Sequence, residues 1–148
     1  MYKHILVAAD GSDPGQKGVD HAISLAGSLS ARVTIITVTE PYVLYAGDSF
    51  GFVPGDKIIT DYRASQREAA NTILAAAAQT AKSASVKAET LYVADAQPAE
   101  AIIDAAKSHN CDLIVMGSHG RRGVSRILLG SKTWEVVAHS HVPVLVVR

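Results

Sequence analysis

Residues 112–120 read DLIVMGSHG: an unbroken apolar run that ends in two glycines flanking a serine and a histidine. An antiparallel strand with one wet face would alternate polar and apolar residues. A continuous apolar run instead suits a parallel strand covered on both faces. Four further runs have the same character: His4–Ala9 (HILVAA), Arg32–Thr39 (RVTIITVT), Val86–Val93 and Val142–Val147 (VPVLVV). The strand at 112–116 is thus the fourth of five.

Between the runs lie segments with helical period. Asp13-Pro14 reads as an N-cap followed by proline at the first helical position, with Val19, Ala22, Ile23, Ala26 and Leu29 on one face. An alanine-rich segment from about Lys57 to Lys82 aligns Ile59, Tyr62, Ala69, Ile73 and Ala76. Pro98 opens a third helix with Ile102, Ile103 and Ala106 inward, and Ser131 is expected to cap a fourth with Val137 and Ala138 inward. The order βαβαβαβαβ with right-handed crossovers predicts an α/β fold: a doubly wound, open, parallel five-stranded sheet with helices on both faces.

In such sheets ligands bind beyond the carboxyl ends of the strands, where strand order reverses. Two strand ends carry residues suited to that place: Asp10-Gly11-Ser12 after the first, and Gly117-Ser118-His119-Gly120 after the fourth. Both can touch one ligand only if the first and fourth strands are neighbours, which predicts the order 3-2-1-4-5 rather than 2-1-3-4-5. The fourth strand runs on into GSHGRRGVSRILLGS (117–131). Gly117 and Gly120 allow a tight turn presenting consecutive N–H groups, an anion-binding nest. Gly130-Ser131 then starts a helix whose free amides and partial positive charge favour an anion. The Ser131 hydroxyl and the Lys132 charge add to it. Asp10, facing the same crevice, suits ribose hydroxyls or a magnesium-bound water. For any one of these glycines a turn is the better explanation; their joint placement at matching strand and helix ends points to a phosphate.

Composition narrows the class. The chain has 148 residues, 48% of them hydrophobic, a formal net charge of zero and one cysteine. That reads as one domain over 1–148, soluble, without the positive excess of a nucleic-acid binder and without a membrane span. The start Met1-Tyr2-Lys3-His4 passes directly into a strand, so no signal peptide is read. The lone Cys111 fits a reducing cytoplasm and reads as buried filler. Glu40–Asp56 (EPYVLYAGDSFGFVPGD) is a long connector, read either as a lid over the strand ends or as a surface loop. The standard phosphate motifs fail: Gly130-Ser131-Lys132-Thr133 lacks the glycines of a Walker A loop, and no G-x-G-x-x-G follows the first strand.

The spacing G-x-x-G, nine residues, G-S (Gly117, Gly120, Gly130, Ser131), with ILVAADGS near the start and VPVLVVR at the end, resembles the universal stress protein family over essentially the whole chain. It is similar in particular to the ATP-binding branch. The resemblance implies adenine contacts from the backbone around Ala9 and Val38, with Asp10 near the adenosine and Met116 and Gly117 lining the crevice. It places His119 and Gly120 by the phosphates, with Gly130, Ser131 and Lys132 supplying amides and a hydroxyl from the other side. The ligand implied is ATP or another adenine nucleotide, with magnesium. The role implied is nucleotide-dependent regulation in a stress response, as a homodimer joined through Val142–Val147 and acting on a protein partner. One departure is Ala96, where many relatives have glycine.

No catalytic residue and no metal ligand is assigned. A slow ATPase is the alternative function, for which Asp10 and His119 are the only candidate groups. His119 reads more simply as a solvated loop histidine bonding a phosphate, and Arg121, Arg122 and Arg126 as charge for it. His139 and His141 have no assigned role, and Trp134 reads as a packing residue. A phospho-receiver domain would need a lysine near the end of the fifth strand, and VPVLVVR has none.

Overall fold

The structure is a computed structural model that describes residues 1–42, 54–120 and 129–148. The elements follow in the order β1 (His4–Ala8), α1 (Asp13–Leu29), β2 (Arg32–Val38), α2 (Asp56–Ser83), β3 (Ala88–Val93), α3 (Pro98–Ser108), β4 (Leu113–Gly117), α4 (Ser131–His139) and β5 (Val144–Val147). The sheet is five-stranded and wholly parallel, in the order β3-β2-β1-β4-β5. β1 therefore lies between β2 and β4, as a ligand shared by the first and fourth strand ends requires.

Side chains alternate across the strands and so feed two cores. Ile5, Val7 and Ala9 of the first strand run, with Val33, Ile35 and Val115, pack under Val19, Ala22, Ile23 and Ala26 of α1 and Leu74, Ala77 and Ala81 of α2. On the opposite face Leu6, Ile36, Ile114 and Met116 pack under Ala99, Ile102 and Ala106 of α3 and Val136 of α4. Cys111 lies buried in that second core, as its position suggested.

Four local expectations are corrected. The α1 cap is Ser12, one residue earlier than Asp13; its Oγ accepts from the Gly15 N–H at 3.1 Å, so Pro14 occupies the second helical position. In α2 the buried stripe is Ala70, Leu74, Ala77 and Ala81, while Ala69 and Ala76 are exposed and Ile59, Tyr62 and Ile73 are half-buried. In α4 the buried residues are Thr133 and Val136, with Val137 and Ala138 facing out, and the cap position is Gly130, so that Ser131 is the first helical residue. Trp134 is 60% exposed rather than packed.

Candidate functional site

The first strand leaves the sheet through Ala9, whose N–H donates to the Ile36 carbonyl and whose carbonyl accepts from the Thr37 hydroxyl at 2.8 Å. These bonds carry the β1–β2 pairing one residue past the strand and fix the position of Asp10. Gly11 then takes φ 77°, a left-handed conformation that favours glycine. The turn folds Asp10 back on the start of α1: its Oδ1 accepts from the Ser12 N–H at 3.0 Å and from the Ser12 hydroxyl at 2.6 Å. Asp10 is thereby oriented by the same serine that caps α1.

β4 ends against the other side of that helix. A Cβ built on Gly117 would collide with the Pro14 carbonyl and lie 2.9 Å from the Gly15 nitrogen, and one on Gly18 would lie 3.0 Å from the Gly117 nitrogen. Backbone thus meets backbone here. The Gly117 carbonyl accepts from the buried Thr133 hydroxyl at 3.0 Å, which ties the end of β4 to α4. The Ser118 N–H donates to the Val147 carbonyl at 2.8 Å.

The two glycine turns converge. The Gly130 N–H donates to the Ser118 carbonyl at 2.8 Å. A Cβ on Gly130 would lie 3.3 Å from His119 Cα and 3.7 Å from the Gly120 nitrogen, and one on Gly120 would lie 3.0 Å from Asp10 Oδ2. Gly120, Gly130 and the Asp10 carboxylate therefore face one small volume at the amino end of α4. Gly120 and Ser131 are solvent-exposed, whereas Ala9, Met116 and Gly117 are buried and Asp10 and Val38 are half-buried. His119 is half-buried rather than fully solvated. Its Nδ1 lies 3.0 Å from the Ser118 hydroxyl, and its Nε2 is shut off from solvent without a partner among the described residues. Lys132 is paired: its Nζ donates to Glu40 Oε1 at 3.0 Å.

All ten residues singled out from the sequence lie at the carboxyl end of the sheet, on β1, β2 and β4 or on the turns and helix that follow. Arg121, Arg122 and Arg126, and residues 43–53 of the long connector, lie outside the described residues. Sequence reasoning missed Gly15, Gly18, Thr37, Glu40 and Thr133, and had placed Ser12 at the strand end without its role as the α1 cap. For Gly15 and Gly18 a signal existed: two glycines three apart near the start of a helix mark a face against which other structure packs closely.

A second polar cluster lies at the opposite, amino end of the strands. The Thr34 hydroxyl donates to Glu89 Oε1 at 2.7 Å, which leaves its oxygen to accept from His4 Nε2, also at 2.7 Å. His109 Nδ1 lies 3.4 Å from the same carboxylate oxygen. Burial, followed by the Arg32 charge, holds the His4 pKa below its ordinary value. The Thr34 hydrogen bond, chiefly, holds that of Glu89 low. Burial pushes the Cys111 thiol up to about 11. Among the described residues no group of three or more His, Cys, Asp or Glu side chains is arranged to hold a metal ion, and no helix is long and apolar enough to cross a membrane.

An open parallel sheet with two glycine turns meeting at its switch point defines a class: a doubly wound α/β domain, the kind in which ligand sites lie beyond the carboxyl ends of the strands. The universal stress protein family model matches residues 1–148, and the chain belongs to that family. It is 36% identical to universal stress protein YxiE of Bacillus subtilis over 150 aligned residues, covering 100% of both chains. Its fold superposes on the solved structure of MJ0577, a universal stress protein of Methanocaldococcus jannaschii, with a TM-score of 0.82 at 26% identity, covering 99% of this chain and 96% of that one. A universal stress protein solved in complex with cAMP matches with a TM-score of 0.73 at 28% identity, covering 99% and 97%.

Proposed function

We propose that this chain is a nucleotide-binding regulatory protein, one domain over 1–148 that binds ATP or a related adenine nucleotide between β1 and β4. The observation that carries the reading is the approach of Gly130 to the Gly120 nitrogen beside the first turn of α4. A side chain at Gly130 would press on the His119 Cα, the Ser118 carbonyl and the Gly120 nitrogen, so glycine keeps open the space between the Gly120 N–H and the free amides that begin α4. The unpartnered His119 Nε2 supplies one further polar atom at the same turn. A phosphate suits this set, since it accepts several N–H bonds at once and is favoured by the helix terminus. Ala9 and Val38 flank the path toward an adenine, and the Asp10 carboxylate, held by Ser12, suits the ribose hydroxyls. Magnesium would enter on the phosphates and keep most of its water, because it needs no cage of protein ligands to bind this way. The cyclic adenylate bound by one relative belongs to the same ligand class.

The family resemblance also supports a homodimer through the last strand. β5 is a sheet edge with four half-buried valine and leucine residues, and α4, packed on it, exposes Trp134 and Val137. Pairing across a two-fold axis would cover an edge that otherwise invites aggregation.

Thermal unfolding with and without Mg-ATP tests the nucleotide reading. Nucleotide at ~100 times its dissociation constant stabilises the folded state by about 2.7 kcal/mol. For a chain of this length that raises the melting temperature by roughly 5–10 °C. No shift at millimolar nucleotide would refute the reading. Mass spectrometry of the supernatant from denatured, freshly purified protein would identify which adenylate it carries.

A further inference from the structure

Lys132 is the second residue of α4, next to the proposed phosphate cradle, yet its ammonium is already engaged. Glu40 Oε1 holds it at 3.0 Å, across a sequence separation of 92 residues, with both side chains 43% exposed. Glu40 lies two residues beyond β2, and α4 follows β4, so the pair reaches over the exit of β1 that separates those strands. The backbone around Glu40 is fixed on both sides. Thr39 donates its N–H to the Val93 carbonyl at 2.9 Å and accepts from the Ala96 N–H at 3.1 Å. The Glu40 carbonyl accepts from the Tyr62 hydroxyl at 3.3 Å, and the Tyr62 ring meets Tyr42 edge-on at 5.2 Å. The carboxylate is thus carried by an anchored stretch of chain.

We infer that Glu40 is a specificity-determining residue: a built-in anion that a ligand phosphate must displace from Lys132. The inference rests on the nucleotide reading above and names what tunes it. A carboxylate and a phosphate compete for the same donors, and a lysine ammonium can turn from one to the other by rotation of its flexible stem. A half-exposed ion pair is weak enough to exchange: such pairs contribute up to about a fivefold factor in an equilibrium constant. Once displaced, Glu40 keeps its charge within the ~8 Å over which charges act at physiological ionic strength, and so opposes a second or third phosphate more than the first. Glu40 therefore disfavours ligands in proportion to their phosphate charge and leaves the nucleoside contacts alone.

Isothermal titration of the full chain with ATP, AMP and adenosine tests this, using wild type, Glu40→Gln, Lys132→Met and the double variant. Glu40→Gln is expected to tighten ATP by roughly three- to tenfold and AMP by less, with adenosine unchanged. Lys132→Met is expected to weaken ATP, and in its background Glu40→Gln should still tighten ATP but by less than in wild type, because only the repulsion between carboxylate and phosphates then remains; the difference is the coupling expected of directly interacting groups. Two results overturn the inference while leaving nucleotide binding intact. One is ATP affinity within twofold of wild type in Glu40→Gln. The other is adenosine tightening as much as ATP, which would mark a change of shape rather than of charge. Failure of all four proteins to bind any of the three compounds at millimolar concentration would overturn the nucleotide reading and this inference with it.

Discussion

Replacing Gly117 with alanine adds one methyl group where, among the described glycines, a Cβ would meet backbone most closely. The new Cβ would collide with the Pro14 carbonyl and sit 2.9 Å from the Gly15 nitrogen. Neither neighbour can rotate aside, because both belong to the first turn of α1, whose cap is fixed by Ser12. Gly117 is a strand residue and does not have positive φ, so alanine carries no conformational penalty there. Loss of glycine from the unfolded chain would by itself stabilise by roughly 0.4–1 kcal/mol. Overpacking against backbone costs about 1–3 kcal/mol or more. The net expectation is a loss of about 2 kcal/mol, a fall of roughly 4–8 °C in melting temperature, and a drop of about 1 M in the urea midpoint at unchanged slope. Urea unfolding followed by circular dichroism measures it. Gly55→Ser is the control: a Cβ there meets nothing within 4 Å at φ −66°, so stability should stay within about 0.5 kcal/mol of wild type. A Gly117→Ala protein as stable as that control would refute the steric account of how α1 seats on β4.

The polar cluster at the amino end of the strands predicts a direction of pH dependence. The folded-state pKa of His4 is depressed below 6.5 and that of Glu89 below 4.5, so each contributes stability that is complete above those values and lost as pH falls through them. The melting temperature should therefore decline from pH 7 to pH 5, and more shallowly in His4→Gln; equal slopes would refute the assignment to His4. Cys111, buried with its thiol pushed up to about 11, should resist a thiol reagent at pH 8 in the native protein and react once unfolded in urea. Rapid stoichiometric labelling of the folded protein would contradict its placement.

The strand order was legible because two chemical signals, Asp10-Gly11-Ser12 and Gly117-Ser118-His119-Gly120, had to meet, and only a β1–β4 neighbourhood lets them. Helix phase was legible where a large residue set it and not otherwise. In α2 the run of alanines gives no contrast between positions, so Ala69 and Ala76 read as well as Ala70 and Ala77, and only packing around Leu74 separates them. In α4 an apolar count favoured Val137 and Ala138, but the position facing the sheet goes to Thr133, whose hydroxyl is needed by the Gly117 carbonyl. A polar residue buried for one hydrogen bond has no signature in hydropathy. Nor does the Glu40–Lys132 pair, because nothing local relates two charges 92 residues apart.

The spacing of Gly117, Gly120 and Gly130 looks like a single motif, but the contacts divide it in two. Gly117 belongs with Gly18: a side chain on either would press on the backbone of the other element, and together they seat α1 on the end of β4, while a Cβ on Gly15 would collide with the Asp10 carboxylate. Gly120 and Gly130 face each other and Asp10 across the volume proposed for phosphate, where a Cβ would meet Asp10 Oδ2 or the His119 backbone. The first group fixes how α1 sits on the end of β4; the second leaves open the space proposed for a ligand. A cradle of amides is selective only if its donors are held before the ligand arrives, since donors that must be ordered on binding lose affinity to that ordering. The crowded glycines therefore serve the open ones. Charge at the rim, by contrast, rests on flexible side chains such as Lys132 and Glu40, so ligand preference can be adjusted there without disturbing the backbone frame beneath.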